Sequence, residues 1–508
     1  MRHIRSQFVA CFAMGIILCG CTVGPTYVRP RVAVETNYAG IVKSETTNSP
    51  IQDWWKTFQD PELEKLIVGA AQQNYDLQIA TARVREARYQ RNMNSADLFP
   101  NIDADAGYLN AYGSKNVQLP IGGSAGGDPP GANPNDTSFD DQLSPLGKGG
   151  LPGQETSLYQ VGFDATWEFD VFGGTRRRIE SANDLMQAQM DSRRNLMVTL
   201  FAEVARDYLE LRGAQERLDV AKKNLAAQSE ILTVTRSMRT NGLASDLDVT
   251  RAAAQVAITT ATVSPLEADA RRQIHALSTL LAQEPNALGA ELEQAQPLPQ
   301  TPPEVPIGLP SQLLERRPDI RAAERQVAAA NANIGSAESD WFPKFALTAG
   351  SVGLDSSSAA DLFDWNSHYF LVSPTLSWRI FDAGRIYSNI QLQRTKKQEM
   401  VWQYRNTVLS ALQEVEDALV AYATEQTRRA ALAEAMHQSE QSLALSRQQY
   451  EHGLVSFLEV LDAERAVYSA QDSLAQSNQI ISTDLVALYK ALGGGWEDVK
   501  PKSAPHRS

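Results

Sequence analysis

The chain contains two copies of one sequence unit, and this internal repeat limits its fold more than any other feature. The segment Asn74–Gly107 recurs 243 positions later as Arg317–Gly350. Further along, the copies match at a shift of 211, because the first copy carries a longer loop. The identical positions include Asp76 and Asp319, Phe99-Pro100 and Phe342-Pro343, Trp167 and Trp378, Arg236 and Arg447, and Gly242-Leu243 and Gly453-Leu454. A duplicated unit with a variable loop predicts two similar structural repeats.

The N-terminus has the pattern of a secretory signal peptide. Arg2 and Arg5 precede an apolar run, Phe8–Leu18, that is too short to span a bilayer. The run ends in Leu18-Cys19-Gly20-Cys21, which resembles the lipobox of bacterial lipoproteins. The resemblance implies that Cys21 is the lipid attachment site, with an N-palmitoyl and an S-diacylglycerol group. The alternative is that Cys21 is a small buried hydrophobic residue in an ordinary signal peptide.

Composition and motifs argue against several classes of protein. A formal net charge of −13 disfavours a nucleic-acid partner, which requires a basic face. The six histidines form no cluster with metal-ligand spacing, and the chain has no phosphate-binding glycine loop and no nucleophile elbow. We therefore predict neither an enzyme nor a cofactor. No segment after the signal is apolar enough for a membrane-spanning helix, so any such segment must consist of strands.

Four segments alternate between apolar and polar residues with the period of a β-strand. In the second segment Tyr159, Val161 and Phe163 share one face, while Gln160 and Asp164 share the other. Such strands with terminal aromatic residues are typical of an outer-membrane barrel, and the alternative is an antiparallel sheet on a soluble core. The four segments are Ile102–Tyr108, Leu158–Asp170, Phe345–Ala349 and Phe370–Ile380.

Four strands cannot close a barrel, and an open edge in lipid leaves backbone groups unsatisfied. A dimer would supply about eight strands around a filled interior, and a trimer about twelve strands around an open lumen. If the strands lie in a membrane, the chain must therefore form an oligomer.

Each strand pair is followed by a long helical pattern without proline, and then by a glycine turn and a returning helix. Pro265 in the first returning helix predicts a kink or a division there. A shorter helix precedes each strand pair. The predicted helices run over about Pro61–Ala96, Arg177–Arg239, Asp246–Leu281, Ser311–Ser339, Ile386–Glu451 and Phe457–Leu492.

These patterns predict a signal peptide (1–20), a lipidated arm (21–60), two repeats (61–282 and 311–492) and a tail (493–508). The first repeat has strands at about 101–171 and a hairpin tip near 242, and the second has strands at about 344–381 and a tip near 453. A proline-rich linker (283–310) joins the repeats and is expected in an equatorial belt. The Gly- and Pro-rich segment Tyr112–Thr156 predicts a long exposed loop.

Several motifs together resemble the outer-membrane factor (TolC-like) family of efflux and secretion channels, in its lipoprotein branch. The resemblance covers nearly the whole mature chain. It is carried by Cys21, Gly24–Pro30, Trp54-Trp55, Asp60–Leu63, Phe342-Pro343, Phe381–Arg385, and two Gly-Leu tips, each with serine three residues after the glycine.

The resemblance implies a mixed α and β membrane protein that acts as a homotrimer. In this family twelve strands form an outer-membrane barrel and twelve helices form a periplasmic tunnel. The tunnel tip closes at rest and docks a periplasmic adaptor protein of an inner-membrane efflux pump. The expected location is the outer membrane of a Gram-negative bacterium, with outer-membrane lipid around the strands.

The resemblance also implies the site residues. Glu459 and Asp462 match acidic positions that form rings at the closed end, where negative charge holds cations. Leu458 is an expected apolar constriction, and Tyr450 and Asp248 match a pair that links hairpins in the closed state. A basic partner of some members is replaced by Val455. The expected adaptor-docking residues are Gly242, Leu243, Gly453 and Leu454.

Each of these residues also has a plainer interpretation. The acids are then solvated helix-face charges, and the glycines serve only turn geometry. Two alternative functions remain at this stage. The first is a lipid-anchored coiled-coil scaffold, and the second is the same duct serving protein (type I) secretion.

Overall fold

The computed structural model describes residues 22–33, 52–112, 155–301 and 310–496. The predicted signal peptide, Cys21 and most of the long loop lie outside these residues. The chain divides into two compact units. The first, here called the strand unit, comprises the described chain up to Thr26 with Arg91–Ser181 and Asn331–Arg394. The second, here called the helical unit, comprises Tyr27–Gln90, Ala182–Ala330 and the chain from Thr395 onward.

The strand unit contains one antiparallel sheet whose strands follow the order of the chain. The strands are β1 (Asn101–Tyr112), β2 (Glu155–Phe169), β3 (Lys344–Ser356) and β4 (His368–Ser377), paired β1-β2-β3-β4. All four predicted strands are present. The third continues to Ser356, well past the predicted Ala349, because Val352 and Leu354 still pair with β4. The fourth ends at Ser377, so Trp378 and Ile380 lie beyond it.

The register places most of the large apolar residues of the four strands on one face; Leu109, Leu158 and Leu371 lie on the other. Tyr108 lies opposite Tyr159, and Phe163 lies opposite both Ala104 and Val352. Residues directly opposite each other in an antiparallel pair share a face. Much of this apolar face is exposed, including Ile102, Phe163, Val352, Phe370, Val372 and Leu376.

The two edges of the sheet, β1 and β4, have no partner strand among the described residues. Pro374 lies in edge strand β4 opposite Leu347. Proline lacks the ladder donor and is tolerated on an edge strand. In the isolated chain, both edges therefore offer backbone groups to a further strand.

The helices extend the duplication. They are α1 (Pro61–Gln73), α2 (Tyr75–Ala96), α3 (Gly174–Thr240), α4 (Asp246–Leu280), the single turn α5 (Gly289–Leu292), α6 (Pro310–Arg316), α7 (Pro318–Ser339), α8 (Arg385–Glu451) and α9 (Phe457–Ala491). Helices α3 and α8 each have 67 residues, and α4 and α9 each have 35. The repeat in the sequence is thus a repeat of helix lengths.

The predicted single helix before each strand pair is wrong, because each divides in two at matching positions, Asn74 and Arg317. The Asn74 side chain accepts a hydrogen bond from the Leu77 backbone, and its Nδ2 donates to the Leu280 carbonyl at 3.0 Å. Pro318 follows Arg317 and disfavours helical geometry there. Since Pro318 has no N–H, the Leu314 carbonyl instead accepts from Arg29 Nη2 at 2.9 Å.

Pro265 does not divide the first returning helix, since α4 continues through it from Asp246 to Leu280. Among the described helices, none combines the length and the apolar character needed to cross a membrane.

Both repeats close the turn between helix and first strand in the same way. The indole N–H of Trp167 on β2 donates to the Leu98 carbonyl at 2.9 Å. The indole N–H of Trp378 donates to the Trp341 carbonyl at 3.1 Å. The two tryptophans match at the shift of 211, and Leu98 and Trp341 match at the shift of 243. Both copies of the repeat therefore contain the same hydrogen bond.

The core of the helical unit is rich in aromatic side chains. Trp54 stacks on Tyr489 with ring centroids 5.3 Å apart, and Trp55 meets the edge of Phe201 at 5.4 Å. The Trp54-Trp55 motif therefore anchors its segment against α3 and α9. Burial of large aromatic rings is a major stabilising contribution in a core.

The described part of the predicted tail is packed into the helical unit. Gly493 has a φ of 72° after the last helix, as expected of a C-cap glycine. Trp496 then contacts the guanidinium groups of both Arg194 and Arg321, whose central carbons are 4.8 and 5.3 Å from the ring centroid. Buried Asp191 pairs with both arginines, at 2.6 and 3.4 Å.

Candidate functional site

The two hairpin tips have the same backbone geometry. Gly242 and Gly453 have φ values of 73° and 69°. The next residue in each tip, Leu243 or Leu454, donates its N–H to the carbonyl five residues earlier, at 2.8 and 2.9 Å. This is the Schellman motif, which requires a left-handed residue and favours glycine.

The leucines that follow these glycines are exposed. In a Schellman motif this position usually packs against its own helix. Here Leu243 and Leu454 are 76% and 74% exposed. The tips thus present one apolar side chain each, in the positions where the sequence predicts adaptor docking.

The side chains around the two tips differ. In the first hairpin, Arg239 forms an exposed ion pair with Asp246 across the turn. At the matching positions of the second hairpin, Tyr450 and Phe457 form an aromatic pair with centroids 5.8 Å apart. The first tip is therefore ionic and solvated, and the second is apolar.

The apolar second tip packs against the first hairpin. Phe457 is buried in a cluster with Leu232 and Ala252, and Tyr450 lies against it. The Tyr450 hydroxyl contacts Met238 Sδ at 3.8 Å. Burial and the nearby Asp248 carboxylate raise the pKa of the Tyr450 phenol. The hydrogen-bond partner of the Tyr450 phenol is thus Met238, and Asp248 acts on the phenol through its charge.

Asp248 and Glu459 are matching acids with different surroundings. Asp248 Oδ2 accepts from Ser245 N at 3.1 Å and from Ser245 Oγ at 2.7 Å, closing a capping box at the start of α4. The matching Ser456 makes no such side-chain cap. The Glu459 carboxylate is exposed and has no hydrogen-bond or ion-pair partner among the described residues.

The remaining predicted gate residues lie on the first turns of α9. Leu458 is half-buried, and Asp462 is exposed. Asp462 Oδ1 lies 3.6 Å from Arg465 Nη1. Glu459 and Asp462 are three residues apart, so they share one helix face.

Sequence reasoning missed an ion pair behind this face, between a buried carboxylate and a half-exposed arginine. Glu464 is 8% exposed and accepts from Arg447 Nη2 at 2.9 Å. Burial raises the pKa of the Glu464 carboxyl, although Arg447 opposes the shift. Arg447 matches Arg236 in the repeat, but the position that matches Glu464 is Ala253. This difference between the two copies was the feature of the sequence that could have indicated the ion pair.

The segment after the predicted lipid site is fixed within the strand unit. Cys21 itself lies outside the described residues. Arg177 donates to the carbonyls of Val23 and Gly24 at 3.0 and 3.2 Å. Asn331 Nδ2 donates to the Pro25 carbonyl at 2.8 Å. These bonds explain part of the Gly24–Pro30 motif, since they hold its backbone.

Comparison with known proteins agrees with this architecture. A family model described as outer membrane efflux protein matches residues 66–283 and 309–494. The solvent efflux pump outer membrane protein SrpC of Pseudomonas putida is 32% identical over 490 residues, which cover 95% of this chain and 97% of that protein. The outer membrane protein OprJ of Pseudomonas aeruginosa is 30% identical over 500 residues, which cover 96% of each protein.

Solved structures show the same fold. The outer-membrane channel OprN matches with a TM-score of 0.82 and 34% identity, covering 94% of this chain and 100% of that one. The open state of the Neisseria gonorrhoeae outer membrane channel MtrE matches with a TM-score of 0.78 and 28% identity, covering 94% and 99%. The predicted family resemblance is confirmed: the chain belongs to the outer membrane efflux protein family, whose members are channels and not enzymes, and it is itself an outer-membrane efflux channel.

Proposed function

We propose that three copies of this chain form a passive exit duct through the outer membrane and the periplasm. One observation supports this above all: the four-stranded sheet has two open edges and an exposed apolar face. Open edges are not tolerated in lipid, so β1 of one copy must pair with β4 of the next. Three copies give a barrel of twelve strands.

The same arrangement explains the two faces of the sheet. The exposed apolar face contacts lipid, and the face with Asp103, Asp164 and Thr375 lines an aqueous lumen. In the helical unit, the α3–α4 and α8–α9 hairpins of three copies supply twelve helices for the periplasmic tunnel.

The periplasmic end is the gate and the docking site. Leu458, Glu459 and Asp462 form the constriction, and Tyr450 with Asp248 steadies the second hairpin near the first. Gly242, Leu243, Gly453 and Leu454 dock a periplasmic adaptor protein, which connects the duct to an inner-membrane efflux pump. The support is that both Gly-Leu tips expose an apolar side chain on a fixed turn.

Lipidation at Cys21 would attach the chain to the membrane just before the segment that Arg177 and Asn331 hold by hydrogen bonds. The support is the lipobox pattern and the docked residues that follow it. The pump, and not the duct, selects the exported molecules. Drug and solvent pumps are favoured over protein secretion because similar proteins are named for solvent, toluene and antibiotic efflux.

The direct test is reconstitution of the purified, detergent-extracted protein. We expect a trimer by mass, heat-modifiable migration on gels, and discrete conductance in planar bilayers. A stable monomer without conductance would instead favour the lipid-anchored scaffold.

Cysteine cross-linking tests the edge pairing itself. Cysteine at Ser373 in β4, combined in turn with cysteine at Asp103, Asp105 or Gly107 in β1, is expected to yield covalent dimers and trimers at one register. The matched control is cysteine at Gly107 with cysteine at Gln160, which face each other within one chain. That pair will cross-link without changing the mass, and between-chain products at no register would contradict the proposal.

A further inference from the structure

The exposed face of α9 carries charges of both signs near the tip. Glu459, Asp462 and Arg465 are exposed and follow each other at three-residue steps. The neighbouring residues Val460, Leu461, Ala463, Glu464 and Val467 are buried on the other side. One face of the helix therefore presents two carboxylates and then one guanidinium, in levels about 4.5 Å apart.

Arg465 is held in place by a buried side chain of α4. Its Nε donates to Gln255 Oε1 at 2.7 Å, and Gln255 is 5% exposed. Gln255 Nε2 is in turn 3.4 Å from Thr259 Oγ1. The guanidinium is thus fixed from behind by Gln255, while its Nη1 remains 3.6 Å from Asp462 Oδ1.

The two predicted ring acids therefore have unequal surroundings. Asp462 has a fixed positive charge beside it, whereas Glu459 has no hydrogen-bond or ion-pair partner in the described part of the chain. A cation within about 4 Å cancels most of the potential of a carboxylate at distances beyond that pair, and salt screens the remainder over ~10 Å at 0.1 M.

We propose that Arg465 sets the ion selectivity of the gate by compensating Asp462, so that Glu459 is the acid that attracts cations. In a trimer these residues form three charged levels, of which only the Glu459 level is uncompensated. Gln255 is a positioning residue for Arg465. This inference rests on the proposed duct and names the residues that decide its selectivity.

The test is the ratio of potassium to chloride permeability, measured from reversal potentials in a potassium chloride gradient across planar bilayers. Arg465→Gln is expected to raise the ratio about two- to threefold, the size of effect typical of an exposed charge pair. Glu459→Gln is expected to lower it by a similar factor. Asp462→Asn is expected to change little in the wild type but to lower the ratio in the Arg465→Gln background.

Two further variants separate charge from position. Arg465→Lys keeps the charge and is expected to retain the wild-type ratio to within the error of measurement. Gln255→Leu removes the anchor and is expected to shift the ratio in the same direction as Arg465→Gln, by a smaller factor. The matched control is Arg272→Gln, since Arg272 forms a similar exposed pair with Asp269 on α4, at 2.7 Å, and lies outside the gate.

Absence of conductance in the wild type would overturn the duct itself. If the wild type conducts, an unchanged ratio in Arg465→Gln would overturn only this inference. An equal effect of Asp462→Asn in both backgrounds would also overturn it. Gel migration of each variant as a trimer ensures that every ratio comes from an assembled channel.

Discussion

Trp167 in β2 and Trp378, which directly follows β4, each make one hydrogen bond to the turn before the neighbouring strand. The indole N–H groups reach the carbonyls of Leu98 and Trp341. Phenylalanine keeps most of the ring but removes the donor, leaving a carbonyl unpaired. We expect Trp167→Phe and Trp378→Phe each to cost about 1 kcal/mol of folding stability. The temperature at which the trimer dissociates on gels measures this loss.

The control for these variants is Trp365→Phe. Trp365 is 83% exposed in the loop between β3 and β4, so the same change there is expected to leave the dissociation temperature unchanged. Equal shifts in all three variants would show that the loss comes from the smaller ring and not from the hydrogen bond.

Glu464 gives the second hairpin a dependence on pH. Its burial raises the pKa above the ordinary value of 4.5. Between that value and the raised one, the folded protein keeps a proton that the unfolded chain has released. The contribution of Glu464 to the free energy of unfolding is therefore greatest below about pH 4.5, and it decreases as the pH rises through the raised pKa.

We therefore expect Glu464→Gln to abolish this pH-dependent contribution to stability, because glutamine is neutral at every pH. The measurement is the melting temperature of the wild type minus that of the variant, from pH 4 to pH 8. The difference is expected to decrease as pH rises, and a difference that increases would contradict the assigned direction of the pKa shift. Subtraction removes the titration of all groups common to both proteins.

At the scale of elements, the tips combine a fixed turn with a free side chain. Leu243 and Leu454 follow left-handed glycines and make up the apolar surface of the tips. Leu243→Asn and Leu454→Asn are expected to weaken binding of a periplasmic adaptor at least tenfold, because the proposed docking contact is apolar. Pull-down or surface binding with the purified adaptor measures this.

The same two variants are expected to leave trimer stability within about 0.5 kcal/mol of the wild type, since exposed side chains contribute little to folding. Unaltered adaptor affinity in both variants would show that the tips are not part of the docking surface. Gly453→Ala is a separate structural probe. It is expected to cost about 1 kcal/mol because a β-carbon disfavours positive φ, although no described residue other than its chain neighbours has an atom within 4 Å of the added group.

The helices and strands were largely predictable because their periodicity is long and regular. The errors came where tertiary contacts or single residues override a pattern. The break at Asn74 depends on a hydrogen bond to Leu280, more than two hundred residues away, which no local pattern contains. The break at Arg317 was predictable in principle, since Pro318 disfavours a helix at the residue before it.

At the scale of the whole molecule, the duplication in the sequence explains the architecture, and departures from it mark the candidate site. The tip glycines and leucines were found because both copies carry them. Arg465 was missed because its matching residue is Ala254, and its partner Gln255 belongs to the other copy. Contacts between repeats are not visible in a comparison of one repeat with the other.

The assignment of the sheet faces makes a prediction for the assembled channel. Val372 and Ser373 are neighbours on β4, and they lie on opposite faces of the sheet. Val372 is exposed on the apolar face, so Val372→Arg places a charge in lipid and is expected to cost about 2–4 kcal/mol.

Ser373→Arg carries the same charge on the same strand but faces the lumen, where water and counterions solvate it. We expect it to assemble normally and to lower the permeability for cations. Urea-dependent folding into lipid vesicles measures the folding stability of both variants, and reversal potentials in planar bilayers measure the cation permeability of Ser373→Arg. Equal destabilisation by the two arginines would mean that both faces are buried in protein, and it would contradict a barrel that separates lipid from water at this sheet.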